Sequence, residues 1–194
     1  MKSGRVLILS NGRSGSGSLM GALCDVLETK GITEPFNEEY WNEQLKKDIP
    51  NVDDVLSLDE NIIIKHIHMQ NEEWVENNIE YFDKVIVLIR DNIKDHILSS
   101  KNALSYGYDN PYYSEKEIYS PDDLFISLDS YSLFHKFLTK YYVLCNVFWY
   151  SDFFETKEKC LRSLKKLRLG IDQDASEYLW EKYFNPKHRL KRHQ

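Results

Sequence analysis

The chain has 194 residues, a length that fits a single domain over 1–194 and buries enough surface to need no disulfide or metal staple. Hydrophobic residues at 42% and aromatic residues at 13% exclude intrinsic disorder, and no low-complexity tract or internal repeat divides the chain. Against 25 Lys+Arg stand 31 Asp+Glu, a net charge of −6, which excludes bulk attraction to nucleic acid or an anionic membrane and leaves any anionic ligand to a local constellation.

The first segment, Arg5 to Ser10, is a continuous aliphatic run of the kind expected of a strand buried on both faces. It is too short to span a membrane, and a polar Gly/Ser loop follows where a signal peptide would stay apolar. Helical periodicity then begins, with Leu19, Leu23, Val26 and Leu27 on one face and a stop near Lys30-Gly31. Asn61 to Lys65 and Lys84 to Ile89 read as two further buried strands, with a helix between them over 71–82 carrying Trp74, Val75 and Ile79. Another helix is predicted over 93–104, with Ile93, Ile97 and Leu104 inward, and its His96 and Lys101 read as solvated. A loop rich in Tyr, Asn, Pro and Ser runs from Ser105 to Pro121, and a helix follows over 122–140. Tyr142 to Tyr150 is apolar enough for a fourth strand. Thr156 to Leu169 is the last predicted helix, with Cys160, Leu161, Leu164 and Leu167 inward, and it closes at Gly170. The basic tail from Lys187 to His193 is compatible with order or with fraying.

Strands alternating with helices predict an α/β fold: a central parallel sheet flanked by helices, in three layers. Cys24, Cys145 and Cys160 are few, odd in number and far apart, with no zinc-spaced Cys/His pair, so no metal is expected. The whole reads as a soluble, reduced, cytoplasmic chain with no nucleic-acid or membrane partner.

The residues from Gly12 to Ser18 form a Gly/Ser-rich turn between a buried strand and a helix. Glycines there let backbone N–H groups approach an anion, and the helix N-terminus adds favourable dipole charge. The same residues also suit a plain strand-to-helix turn, but the context on both sides favours phosphate. The NTPase pattern fails because Ser18 and Leu19 stand where Lys and Ser/Thr are required, and the esterase pattern fails because Ser16 replaces its closing Gly. What remains is a loop with its cation at the front, Arg13, followed by small hydroxyl residues and glycines.

Arg13-Ser14-Gly15-Ser16, with Gly17 in place of a usual hydroxyl residue and Ser18 to supply it, resembles the 5′-phosphosulfate loop of sulfotransferases that use 3′-phosphoadenosine 5′-phosphosulfate (PAPS). A second segment, Ile86 to Ser100, is similar to that family's 3′-phosphate segment: a strand ending in Arg90, a turn, then a helix bearing Ser99. The Arg90-to-Ser99 spacing is one residue longer than usual, Asn92 stands where Pro is common, and Ser100 is the alternative serine. Val143 to Phe154 and the helix ending Leu164 to Gly170 resemble the family's late strand, turn and helix. The likeness runs from position 5 to 170; the family's final Arg-Lys-Gly motif has no clear counterpart, with Lys187, Arg189, Lys191 and Arg192 as stand-ins.

The resemblance implies a P-loop NTPase-like sulfotransferase fold and PAPS as donor. It implies donor binding by Gly12, Arg13, Ser14, Gly15, Ser16, Gly17, Ser18, Arg90 and Ser99, and transfer to a hydroxyl of a carbohydrate or small molecule. For the base, His66, His68 and Glu34 compete, with Lys65 contacting the transferring group or solvated. His66 and His68 share one face of an extended strand and Lys65 takes the other. Each histidine also suits a structural role, Glu34 suits a cap, and Arg90 suits a surface pair with Asp91 or Asp95. Tyr106, Tyr108, Tyr112, Tyr113 and Tyr119 could roof an acceptor site. Two other readings stay open: a P-loop kinase-like phosphotransferase and a non-catalytic module that binds PAP, the desulfated donor, or another nucleotide.

Overall fold

A computed structural model describes residues 4–37, 51, 53, 61–67, 70–106 and 121–189. Five strands form one fully parallel sheet: β1 (Arg5–Ser10), β2 (Lys30–Thr33), β3 (Ile62–Ile67), β4 (Lys84–Ile89) and β5 (Cys145–Trp149). Their order is β2-β3-β1-β4-β5. β1 therefore lies in the middle, and the chain leaves it toward β2 on one side before returning to β4 on the other. Ligands of open parallel sheets bind where such departures diverge, beyond the strands' carboxyl ends.

The helices are α1 (Ser16–Leu27), α2 (Glu72–Asn78), α3 (Ile93–Tyr106), α4 (Pro121–Tyr141), α5 (Tyr150–Phe154), α6 (Lys157–Lys166), α7 (Gln173–Leu179) and α8 (Pro186–Arg189). Successive β1 residues feed opposite cores, as the period of two requires. Val6 and Ile8 join Ile63, Ile86, Leu88, Phe148, Leu19 and Leu23 of α1, and Leu164 of α6. Leu7 and Leu9 join Ile64, Val87, Trp74 of α2, and Phe134 and Phe137 of α4. Two cores on the two faces of one sheet make the three layers.

Several elements differ from the sequence reading. β2 is absent from it: the predicted helix stop at Lys30-Gly31 is the start of a four-residue edge strand, released by the left-handed Glu28 (φ 49°) that ends α1. The predicted strand over 142–150 contracts to Cys145–Trp149, preceded by a 3₁₀ turn at Tyr142–Leu144 and followed by α5. Gln173 to Phe184, α7 and a π-helical turn, also escaped the reading; their Leu179, Trp180 and Phe184 are buried in the α1-side core. Of the basic tail, the residues up to Arg189 belong to the helical turn Pro186–Arg189, and the rest lies outside the described residues.

Candidate functional site

β1 delivers the chain into the loop 11–15, which runs straight into α1. Arg13 (φ 59°) and Gly15 (φ 84°) both adopt the left-handed conformation, on either side of Ser14. At Gly15 a Cβ would sit 2.6 Å from Cε2 of Phe154, so a glycine is required there on two counts. Three consecutive loop carbonyls accept hydrogen bonds from side chains. The buried Ser14 Oγ donates to Asn11 O at 2.8 Å, His96 Nε2 to Gly12 O at 2.7 Å, and Arg90 Nη1 to Arg13 O at 2.9 Å. A carbonyl accepts only, so the Nε2 of His96 carries the proton. With its carbonyls committed away, the loop is free to present its amides and those of the first turn of α1, which have no partner within the helix. Ser10 Oγ donates to Ser16 Oγ at 2.9 Å and pins the helix start to the end of β1.

The residues expected to share a ligand meet in space. Arg13 Nε donates to Ser99 Oγ at 3.1 Å, joining the loop to the second turn of α3. Arg90, 9% exposed at the end of β4, reaches the loop carbonyl and lays its guanidinium 4.4 Å from the ring centroid of Tyr150. The surface pairing of Arg90 with Asp91 or Asp95 is thus replaced by an inward arrangement. Tyr131 Oη of α4 donates to Arg90 O at 2.6 Å and fixes the strand end. Ser100 follows Ser99 in α3, but its side chain lies outside those described.

His96 corrects the sequence reading. It is 5% exposed, not solvated, packed edge-on to Tyr131 at 5.4 Å between centroids. Burial lowers its pKa, the Gly12 hydrogen bond opposes that, and the charges of Arg90 and Arg13 lower it further; the net shift is downward, so the ring is neutral at neutral pH. Tyr131, Tyr150 and His96 were missed as site residues because their partners lie far off in sequence; the one local signal was the position of Tyr150 directly after β5.

On the β2 side, Glu34 follows the last residue of β2 with φ 47°, and its N–H donates to Lys65 O at 2.7 Å. Lys65 Nζ bonds Glu34 Oε1, while Asn37 Nδ2 at 2.9 Å and Gln70 Nε2 at 3.2 Å donate to Glu34 Oε2. Burial alone would raise the Glu34 pKa, but the Lys65 charge and these hydrogen bonds outweigh it and hold the carboxyl below its usual range. Lys65 is therefore not solvated; it is 8% exposed. His66 is fully buried on the opposite face of β3, with Phe36 and Trp74 ring centroids at 5.4 and 6.0 Å. His68 and Tyr108, Tyr112, Tyr113 and Tyr119 lie outside the described residues. Among the described residues no cluster of His, Cys, Asp and Glu could hold a metal ion, and no helix is long and apolar enough to cross a membrane.

The chain is similar in structure to a mouse sulfotransferase, SULT7A1, crystallised with PAP: the TM-score is 0.57 at 16% identity, over 93% of this chain and 64% of that one. It thus spans under two thirds of that protein's length. A shikimate kinase from Bacteroides thetaiotaomicron also matches, with a TM-score of 0.46 at 13% identity over 97% of this chain and 98% of that one. No protein-family model and no curated protein sequence matches the chain. At this identity the first likeness establishes the fold: a three-layer, P-loop-like α/β domain.

Proposed function

We propose that this chain transfers a sulfuryl group from PAPS to a hydroxyl of a carbohydrate or small molecule. The observation that carries the reading is the convergence of Arg13, Ser99 and Arg90, drawn from three segments, through the Arg13–Ser99 and Arg90–Arg13 hydrogen bonds. Two guanidinium groups, a serine hydroxyl and the amide face of a loop at a helix N-terminus form a doubly cationic anion cradle. The loop has no lysine to reach the terminal phosphates of ATP, which favours a 3′-phosphorylated donor.

In the reaction the acceptor oxygen attacks sulfur, the bond from sulfur to the bridging phosphate oxygen breaks, and PAP leaves with that electron pair. The cradle balances the charge on PAP. Glu34 takes the hydroxyl proton and Lys65 neutralises the sulfonyl oxygens. Glu34 is favoured over His66 because its carboxylate lies at the carboxyl end of the sheet, whereas the imidazole sits among aromatic rings. Paired with Lys65, Glu34 is a weak base; a sulfonate that draws Lys65 away restores its basicity, so base and donor act together.

The test is calorimetric titration with PAP and with ATP, followed by transfer of labelled sulfate from PAPS to a panel of hydroxyl acceptors. PAP binding with transfer supports the reading. ATP binding without PAP binding favours the phosphotransferase, and PAP binding without transfer to any acceptor favours a non-catalytic module.

A further inference from the structure

His96 has no part in the chemistry above, yet it holds the middle one of the three captured carbonyls. An anion cradle built from amides fails if an adjacent carbonyl dipole turns toward the ligand, so the three donors shape the site without touching its occupant. Ser14 is neutral and Arg90 permanently charged. His96 can change charge near neutral pH. Its Nε2–H is committed to Gly12 O, and its Nδ1 is buried with no hydrogen-bond partner among the described residues.

The groups around the ring come from four elements. Arg13 faces it from the loop, Arg90 from the end of β4, Tyr131 from α4, and Asp95 and Ser99 lie beside it on α3. Burial disfavours a proton on His96 most, and in the unliganded site both guanidinium groups repel it as well. A phosphate dianion against those guanidinium groups cancels their two positive charges and lifts that repulsion.

We propose that His96 is a positioning residue of the cradle: its Nε2–H ties down the Gly12 carbonyl, and its Nδ1 takes a proton from solvent when a phosphate dianion fills the Arg13–Arg90–Ser99 corner. This rests on the donor-site reading for where the phosphate lies. Anion affinity is then linked to proton uptake, with no bond made or broken beyond N–H.

The experiment measures PAP binding calorimetrically near pH 7 in two buffers of different ionisation heat, so that the proton count is read directly. ADP and pyrophosphate serve as parallel probes. His96→Gln keeps an N–H donor for Gly12 O and cannot titrate. The phosphate of PAP itself titrates near pH 6, so the difference between wild type and His96→Gln isolates the histidine. The expected result is uptake in wild type that is absent in H96Q, with affinities within about threefold at about pH 8 and diverging as pH falls. His96→Phe, lacking the donor, loses about tenfold in affinity across the whole range. Ring ¹⁵N spectra of the wild type give a second readout: a neutral Nε2–H tautomer alone, an imidazolium with PAP.

Equal proton counts in wild type and H96Q, or an unchanged ring spectrum on binding, overturn the inference and leave the donor site standing. Proton uptake with ADP or pyrophosphate, without PAP binding, upholds the role of His96 and removes the PAPS reading. No binding of any probe overturns both.

Discussion

At Gly15 two constraints coincide: a left-handed φ of 84° and a phantom Cβ 2.6 Å from Phe154. Gly15→Ala is expected to cost about 1–3 kcal/mol of stability and to weaken PAP binding, because the loop can relieve the clash only by moving its amides. Chemical denaturation and calorimetry on one preparation would check both; an unperturbed midpoint would show that the loop is not held against α5. Glu34 makes a different prediction. Glu34→Gln should keep PAP affinity within about threefold while lowering turnover about 10²–10⁴-fold, the usual range for a general base. A rate that survives the substitution would return the role to His66 or His68. Arg13→Ala and Arg90→Ala should each cost PAP about tenfold or more, since each removes a charge-assisted contact.

Among the elements, α6 and α7 begin on side chains that the sequence supplies locally. Thr156 Oγ1 accepts from Lys159 N at the start of α6, and Asp172 Oδ1 accepts from Ala175 N at the start of α7. Thr156→Ala is expected to cost about 1 kcal/mol in urea denaturation, with PAP affinity unchanged, since its hydroxyl serves the start of α6 rather than the loop. β2 shows the opposite case. Lys30-Gly31-Ile32-Thr33 is short and half exposed, with no apolar run to announce it, and it is a strand because β3 offers a free edge in register with it. That pairing carries Glu34 to Lys65, 31 residues further on.

For the molecule as a whole, the burial of His96 beside two guanidinium groups has a consequence for stability. His96 binds a proton less readily in the folded protein than in the unfolded chain, so the unfolded state gains protons first as pH falls. Stability is therefore present above the ordinary histidine value of about 6.5 and declines below it, by at most about 1.4 kcal/mol per pH unit for one group. Glu34 adds a second decline, beginning near its ordinary value of about 4.3 and continuing to its lower folded one. Denaturation midpoints at about pH 8 and pH 6 should differ less in His96→Gln than in wild type, and an equal difference in both would assign the acid lability elsewhere.

The sequence by itself determined the layers, four of the five strands and the loop that opens α1, because hydrophobic period and glycine placement are local properties of the chain. The resemblance of its loop and of the segment after β4 to the sulfotransferase family singled out Arg13, Arg90 and Ser99. The tertiary structure alone decided that Arg13 touches Ser99 across 86 positions, that His96 faces inward onto Gly12, and that Glu34 and Lys65 are one ion pair. Each of these depends on which strand lies beside which. Side-chain periodicity gives a residue its face, but neighbours in a sheet are set by crossovers between segments far apart, and no local pattern carries that information.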